Sequence, residues 1–89
     1  MIYLMGQLGS ALMPAVPRKP AAYQVVADDI RAQITSGTLS PGDQLPFKRL
    51  LAEQYKVSEQ VIDVAMVLLR NEGLIEGRQG KGVYVAERP

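Results

Sequence analysis

The chain contains no cysteine, no histidine and no tryptophan, and a single phenylalanine stands beside four tyrosines. Without cysteine there is no disulfide and no thiolate, and without histidine as well there is no soft metal site of the zinc-finger kind. The missing histidine also removes the commonest general acid–base group and the nucleophilic triads built on it. The nine carboxylates are scattered, with no clustered acid pair. Glu72 and Glu76 lie four apart but flank Gly73, and they read as solvent-facing groups at a helix end. No catalytic constellation is left, so neither an enzyme, a cofactor nor a metal is expected. An excess of one charge is lacking too: ten Lys and Arg against nine Asp and Glu give +1. Affinity for nucleic acid then needs a local basic stripe rather than the field of the whole molecule.

What is present fits one small domain. Eighty-nine residues, 47% of them hydrophobic, form a modest core. Residues 1–20, M-I-Y-L-M-G-Q-L-G-S-A-L-M-P-A-V-P-R-K-P, are apolar, broken by Gly and Pro, and uncharged before Arg18. They lack the positive start of a signal peptide and are too short and broken for a membrane span. A flexible leader is expected here, with Met13 as an alternative start. The sharper reading is a short helix of Ile2, Leu4, Met5, Leu8 and Leu12 that packs on the domain or a partner. No membrane association is expected, and the cytoplasm is the natural compartment. The folded domain is expected over 21–87.

Within it, Tyr23, Val26, Ala27, Ile30 and Ile34 form one apolar stripe, so 23–36 predicts an amphipathic helix ended by Gly37. Pro41-Gly42 predicts a type II turn, and Gln44-Leu45 adds a short strand before Pro46. A second helix is expected over 47–55, with Leu51 and Tyr55 facing the core together with Leu50 or Ala52. Lys48 and Arg49 fall in its first turn, where cations oppose the macrodipole unless a phosphate docks there. A solvated basic pair is the bland alternative. Phe47 is a poor cap.

The central stretch 57–69, V-S-E-Q-V-I-D-V-A-M-V-L-L, predicts a helix capped by Ser58 and stopped at Gly73, spanning about 58–71. Ile62, Ala65, Met66 and Leu69 form its inward stripe. Val61, Val64 and Leu68 form a second stripe with Val67 beside it, which marks either burial on two sides or an interaction surface. Glu59, Gln60 and Asp63 supply most of its polar surface. Glu59 suits the helix dipole but repels phosphate. Residues 74–76 and 83–86 predict two strands joined by G-R-Q-G-K-G at 77–82, whose tip carries Arg78, Gln79, Gly80 and Lys81. These last cations either straddle a groove, where a narrow minor groove favours Arg, or decorate an ordinary charged turn. The expected architecture is α+β, mainly α: a winged helix-turn-helix of three helices and a C-terminal β-hairpin.

The ordered pieces I-T-S-G-T-L-S-P-G-D-Q-L-P (34–46), L-A-E-Q-Y-K-V-S (51–58) and L-R-N-E-G-L-I-E-G-R-Q-G-K-G-V-Y-V (69–85) together resemble a known pattern. It is the winged-helix DNA-binding domain of the GntR family of bacterial transcription regulators. In that family Pro-Ser-Glu-Arg-Glu-Leu opens the second helix and its Arg contacts DNA. Here the stretch is Pro46-Phe47-Lys48-Arg49-Leu50-Leu51, which keeps Arg49 and loses the Ser and both Glu. The family's recognition helix begins Val-Ser-Arg-Thr-Thr-Val-Arg, with the arginines and threonines at the DNA. Here it is Val57-Ser58-Glu59-Gln60-Val61-Ile62-Asp63, with both arginines replaced by acids. Gln79, Gly80 and Lys81 of the wing match. Members usually continue into a C-terminal effector-binding and dimerising domain; no small-molecule effector domain is expected in this chain.

Two functions compete. The first is a sequence-specific regulator of double-stranded DNA, expected to be a repressor, with helix 58–71 in the major groove and wing 77–82 on the adjacent backbone or minor groove. Lys48, Arg49, Arg78 and Lys81 anchor phosphates. Gln60 reads adenine, Glu59 accepts from a cytosine amino group, and Val61 and Val64 meet thymine methyls. A palindromic operator follows only for a homodimer. The alternative is a protein-interaction module that uses the apolar outer face of helix 58–71. It predicts that Val64→Asp abolishes association while Arg78→Ala hardly matters.

Overall fold

The computed structural model describes residues 20–87, so the expected leader and its short apolar helix lie outside the described residues. Three helices come first: α1 (Ala22–Ser36), α2 (Lys48–Tyr55) and α3 (Glu59–Asn71). Two antiparallel strands follow, β1 (Ile75–Arg78) and β2 (Gly82–Val85), paired Ile75 with Val85 through Arg78 with Gly82. The winged helix-turn-helix expected from the sequence is the fold observed.

Each helix end has a local cause. α3 is capped by Ser58, whose Oγ accepts from the Val61 amide at 3.2 Å. At its other end Gly73 takes φ +79°, its amide donates to the Arg70 carbonyl, and the Leu74 amide donates to Leu69. That pair of bonds is a Schellman stop, with Leu74 placed to cover Leu69. It also corrects the strand boundary: the Leu74 amide is spent on the helix end, so β1 begins at Ile75. The stop between α2 and α3 has the same two bonds, Lys56 to Glu53 and Val57 to Ala52, but the left-handed residue is Lys56 at φ +58°. The Pro-Gly turn forms as expected, with the Asp43 amide donating to Ser40 at 3.0 Å and Gly42 at φ +88°.

The core is where the three helices and the hairpin meet. Val26, Ala27 and Ile30 of α1 join Leu51 and Ala52 of α2, and Ile62, Ala65, Met66 and Leu69 of α3. Ile30, Ile62 and Leu69 are fully buried, each worth roughly 1.5–3 kcal/mol in transfer free energy. Of the two residues offered beside Leu51, Ala52 is buried and Leu50 is exposed. The second apolar stripe of α3 divides: Val61 and Leu68 pack against the core, while Val64 (44%) and Val67 (49%) stay exposed. A helix lodged between several neighbours is covered over a wider arc than one stripe, so the outward apolar face is smaller than its sequence suggests.

Polar ties brace the helices. Arg31 of α1 grips Glu72 with two bonds, 2.8 and 2.7 Å, and Asp28 at 2.6 Å. The hydrogen bond from Arg31 holds the Glu72 carboxyl below its ordinary range. Glu72 is therefore a tether between α1 and the end of α3, not the free solvent-facing group expected. The Tyr55 hydroxyl donates to Asp29 at 2.5 Å.

Candidate nucleic-acid interface

The side chains singled out by sequence as DNA contacts lie on three elements that border one groove, although only Lys48 and Asp63 of them line it. The groove, about 350 Å³, runs between the start of α2, residues 62–70 of α3 and the loop end of β2. Phe47 and Lys48 line it from α2, Asp63, Val67 and Arg70 from α3, and Gly82 and Val83 from β2. Phe47 also lines a second depression with residues 77–83 of the wing. The cationic start of α2 and the wing are thus neighbours, although some thirty residues separate them in sequence.

Helix α2 begins at Lys48, one residue later than expected, with Phe47 as its extended N-cap. No side chain caps it, and its first turn holds no acid of its own beside Lys48 and Arg49. The missing side-chain cap leaves its first amides free for a phosphate. Phe47 itself stands 62% exposed. On α3, Ser58, Glu59, Gln60 and Asp63 are exposed, whereas Val61 is half-buried. Val61 is thereby less available for a thymine methyl than the sequence implied.

The acids of α3 are not equivalent. Asp63 is paired: the Lys48 Nζ lies 3.1 Å from its Oδ1 and 3.5 Å from its Oδ2. Among the described residues Glu59 has no cation within ion-pair distance, and neither Arg49 nor Lys81 has a carboxylate. Arg70, which lines the groove, has none either, so among the described residues Arg49, Arg70 and Lys81 are cations of these three elements without an acid partner.

The wing is tighter than expected. Gly77 and Gly82 pair in the ladder rather than in the turn, which leaves residues 79–81 as the loop, with Gly80 at φ +76° and the Lys81 amide donating to Arg78. Sequence treats glycine as a breaker, yet its backbone pairs like any other. Gly82 is favoured by its backbone, at φ +131°, and a Cβ there would also stand 2.6 Å from the Gln44 amide nitrogen and displace it. That nitrogen donates to the Lys81 carbonyl at 3.0 Å, and Gln44 bridges to Tyr84. The expected strand at Gln44-Leu45 is this single bridge. Arg78 stacks over Tyr84, 4.3 Å from the ring centroid, and binds Glu76 at 2.9 Å. The Glu76 bond raises its pKa, so it stays charged.

Gln44 as the strut of the wing and Arg70 at the groove rim were not found by sequence reasoning. Gln44 acts through Lys81 and Tyr84, distant in sequence, and Arg70 reaches the groove only once α2 and the hairpin are packed beside α3, so no local motif marks either. Among the described residues no cluster of acids is arranged for a metal, and no helix is long and apolar enough to cross a membrane.

Comparisons with known proteins identify the fold and the family. The profile of the family described as "Bacterial regulatory proteins, gntR family" matches residues 22–85. The Exu regulon transcriptional regulator of Escherichia coli (strain K12) is 38% identical over 63 residues, which is 71% of this chain and 24% of that protein. The mannosyl-D-glycerate transport/metabolism system repressor MngR of the same strain is 40% identical over 65 residues, 73% of this chain and 27% of that protein. The crystal structure of AraR(DBD) in complex with operator ORX1 aligns with a TM-score of 0.76 at 30% identity, covering 82% of this chain and 88% of that one. The chain spans about a quarter of the length of the curated relatives it matches.

Proposed function

This chain belongs to the gntR family of bacterial regulatory proteins, and from that premise we propose that it is a sequence-specific, double-stranded-DNA-binding transcription regulator acting as a repressor. The relatives compared above are transcription regulators rather than enzymes. One observation carries the reading for this chain: the start of α2, the middle of α3 and the wing border two adjoining depressions that carry Lys48, Arg70, Arg78 and Lys81. A solved neighbour of the same fold is bound to an operator.

In this arrangement α3 lies in the major groove and the wing crosses to the adjacent backbone or minor groove. Arg49 and Lys81 hold phosphates, while Arg78, braced on Tyr84 and Glu76, presents a fixed guanidinium to the backbone. Ser58 sets the start of α3. Gln60 pairs with adenine through its amide, and Glu59 accepts from a cytosine amino group. Gln79 and Gly80 form the loop that lets the wing approach closely. Two copies on a palindrome would set half-sites about one helical turn apart.

The test is fluorescence anisotropy of the whole chain with a random-sequence duplex pool, at low and then near-physiological salt. The expected result is binding that weakens steeply with salt, with Arg49→Ala and Arg78→Ala each flattening the slope by about 0.9. No binding at low salt, or both arginines dispensable, would sink the reading in favour of an interaction surface at Val64 and Val67.

A further inference from the structure

Asp63 presents a problem for a DNA-facing helix. It is a carboxylate on the outer side of α3, one turn beyond Glu59, and its side chain is 55% exposed. Left alone it would repel phosphate and lower affinity for every sequence alike. It is not left alone, because the Lys48 ammonium sits against both of its oxygens, at 3.1 and 3.5 Å. The pair adds no net charge to the surface. One ammonium does not use up the acceptor sites of a carboxylate, which number about four. The remaining acceptor sites belong to a side chain more than half exposed, on the same helix as Gln60.

We infer that Lys48 and Asp63 act as one base-reading unit: Lys48 cancels the repulsion and orients the carboxylate, and Asp63 accepts a hydrogen bond from a cytosine amino group in the major groove. The inference rests on the DNA-binding reading above and gives Lys48 a role other than phosphate anchor. Cytosine is the base that presents an amino donor without a neighbouring purine N7 acceptor, and a carboxylate is an acceptor only. Asp63 is the specificity-determining residue and Lys48 the positioning residue. The geometry requires the two together. A cation alone at this place would hold phosphate without discrimination, and an acid alone would repel it.

The experiment is selection of duplexes from a random pool by the intact chain, followed by the same selection with Asp63→Asn, Lys48→Met and Lys48→Arg. Anisotropy at two salt concentrations and a thermal melt accompany each variant. Wild type should enrich a C·G pair at one position that Asp63→Asn relaxes. With the carboxylate gone, Lys48 is released to phosphate, so affinity for the unselected pool should rise a few-fold and the salt slope steepen by about 0.9. Lys48→Met should weaken binding to all duplexes by about tenfold, as an exposed acid meets phosphate, and Lys48→Arg should restore it. The melting points of all three should stay close to wild type, because an exposed ion pair contributes only about 0–1 kcal/mol. A selected sequence unchanged by Asp63→Asn overturns this inference while leaving DNA binding intact. A wild-type chain that binds no duplex removes the reading on which it rests.

Discussion

Ser58 offers a perturbation that separates the stability of the recognition helix from its function. Its Oγ is the acceptor for the Val61 amide, 3.2 Å away, and α3 has no other side-chain cap. Ser58→Ala deletes that acceptor and leaves an amide of the first turn to water, which costs about 1 kcal/mol. For a domain of this size that lowers the melting midpoint by roughly 4–8 °C and the folded-to-unfolded ratio about fivefold. Ser58→Asp restores the acceptor and adds charge at the positive end of the helix dipole, so the midpoint should return to wild type. The same aspartate places a further carboxylate beside Glu59 on the face that meets phosphate. DNA affinity should therefore fall below that of Ser58→Ala even as stability recovers. Differential scanning calorimetry and anisotropy on the three proteins measure the two quantities independently. A midpoint for Ser58→Ala within about 1 °C of wild type would refute the capping argument. Equal affinity of Ser58→Asp and wild type would refute the placement of this helix start at DNA.

Ile62→Ala, at a position with no exposure, should cost about 2–5 kcal/mol, read as a lower urea midpoint. Lys56→Gly should raise stability by about 0.5 kcal/mol, because relief of the left-handed strain exceeds the entropy cost of glycine; a lower urea midpoint would contradict it. Burial and the bond to Asp29 push the Tyr55 hydroxyl from 10.0 to about 12. The folded state holds this proton more tightly than the unfolded one, so the contribution is fully present below pH 10.0 and lost as pH rises through about 12. Tyr55→Phe should flatten that alkaline loss in melts taken as a function of pH.

Local features were legible in the chain because their causes are local. Ser58 before an apolar-periodic run, Gly73 after it and Pro41-Gly42 between helices each name a backbone geometry, and each is found. Ile62, Ala65, Met66 and Leu69 were legible as core because helical spacing puts them on one face. What could not be read depends on partners far along the chain. Lys48 and Asp63 are fifteen residues apart, and Arg31 and Glu72 forty-one. Val61 and Leu68 looked outward on the helical wheel because the wheel does not say which neighbours cover a flank. The left-handed Lys56 had no marker either, since lysine has no preference for that region. It is imposed by the close approach of α2 and α3.

The central claim is that one face, made by the start of α2, the first turns of α3 and the wing loop, binds DNA. Amide chemical-shift mapping of the isotope-labelled chain, titrated with a duplex selected from the random pool, tests it most directly. The expected result is perturbation concentrated at Lys48 and Arg49, at Ser58 to Asp63 and at Gln79 to Lys81, while the buried amides of α1 stay in place. Perturbation centred on Val64 and Val67 that spares the wing, or no perturbation at low salt, would contradict it.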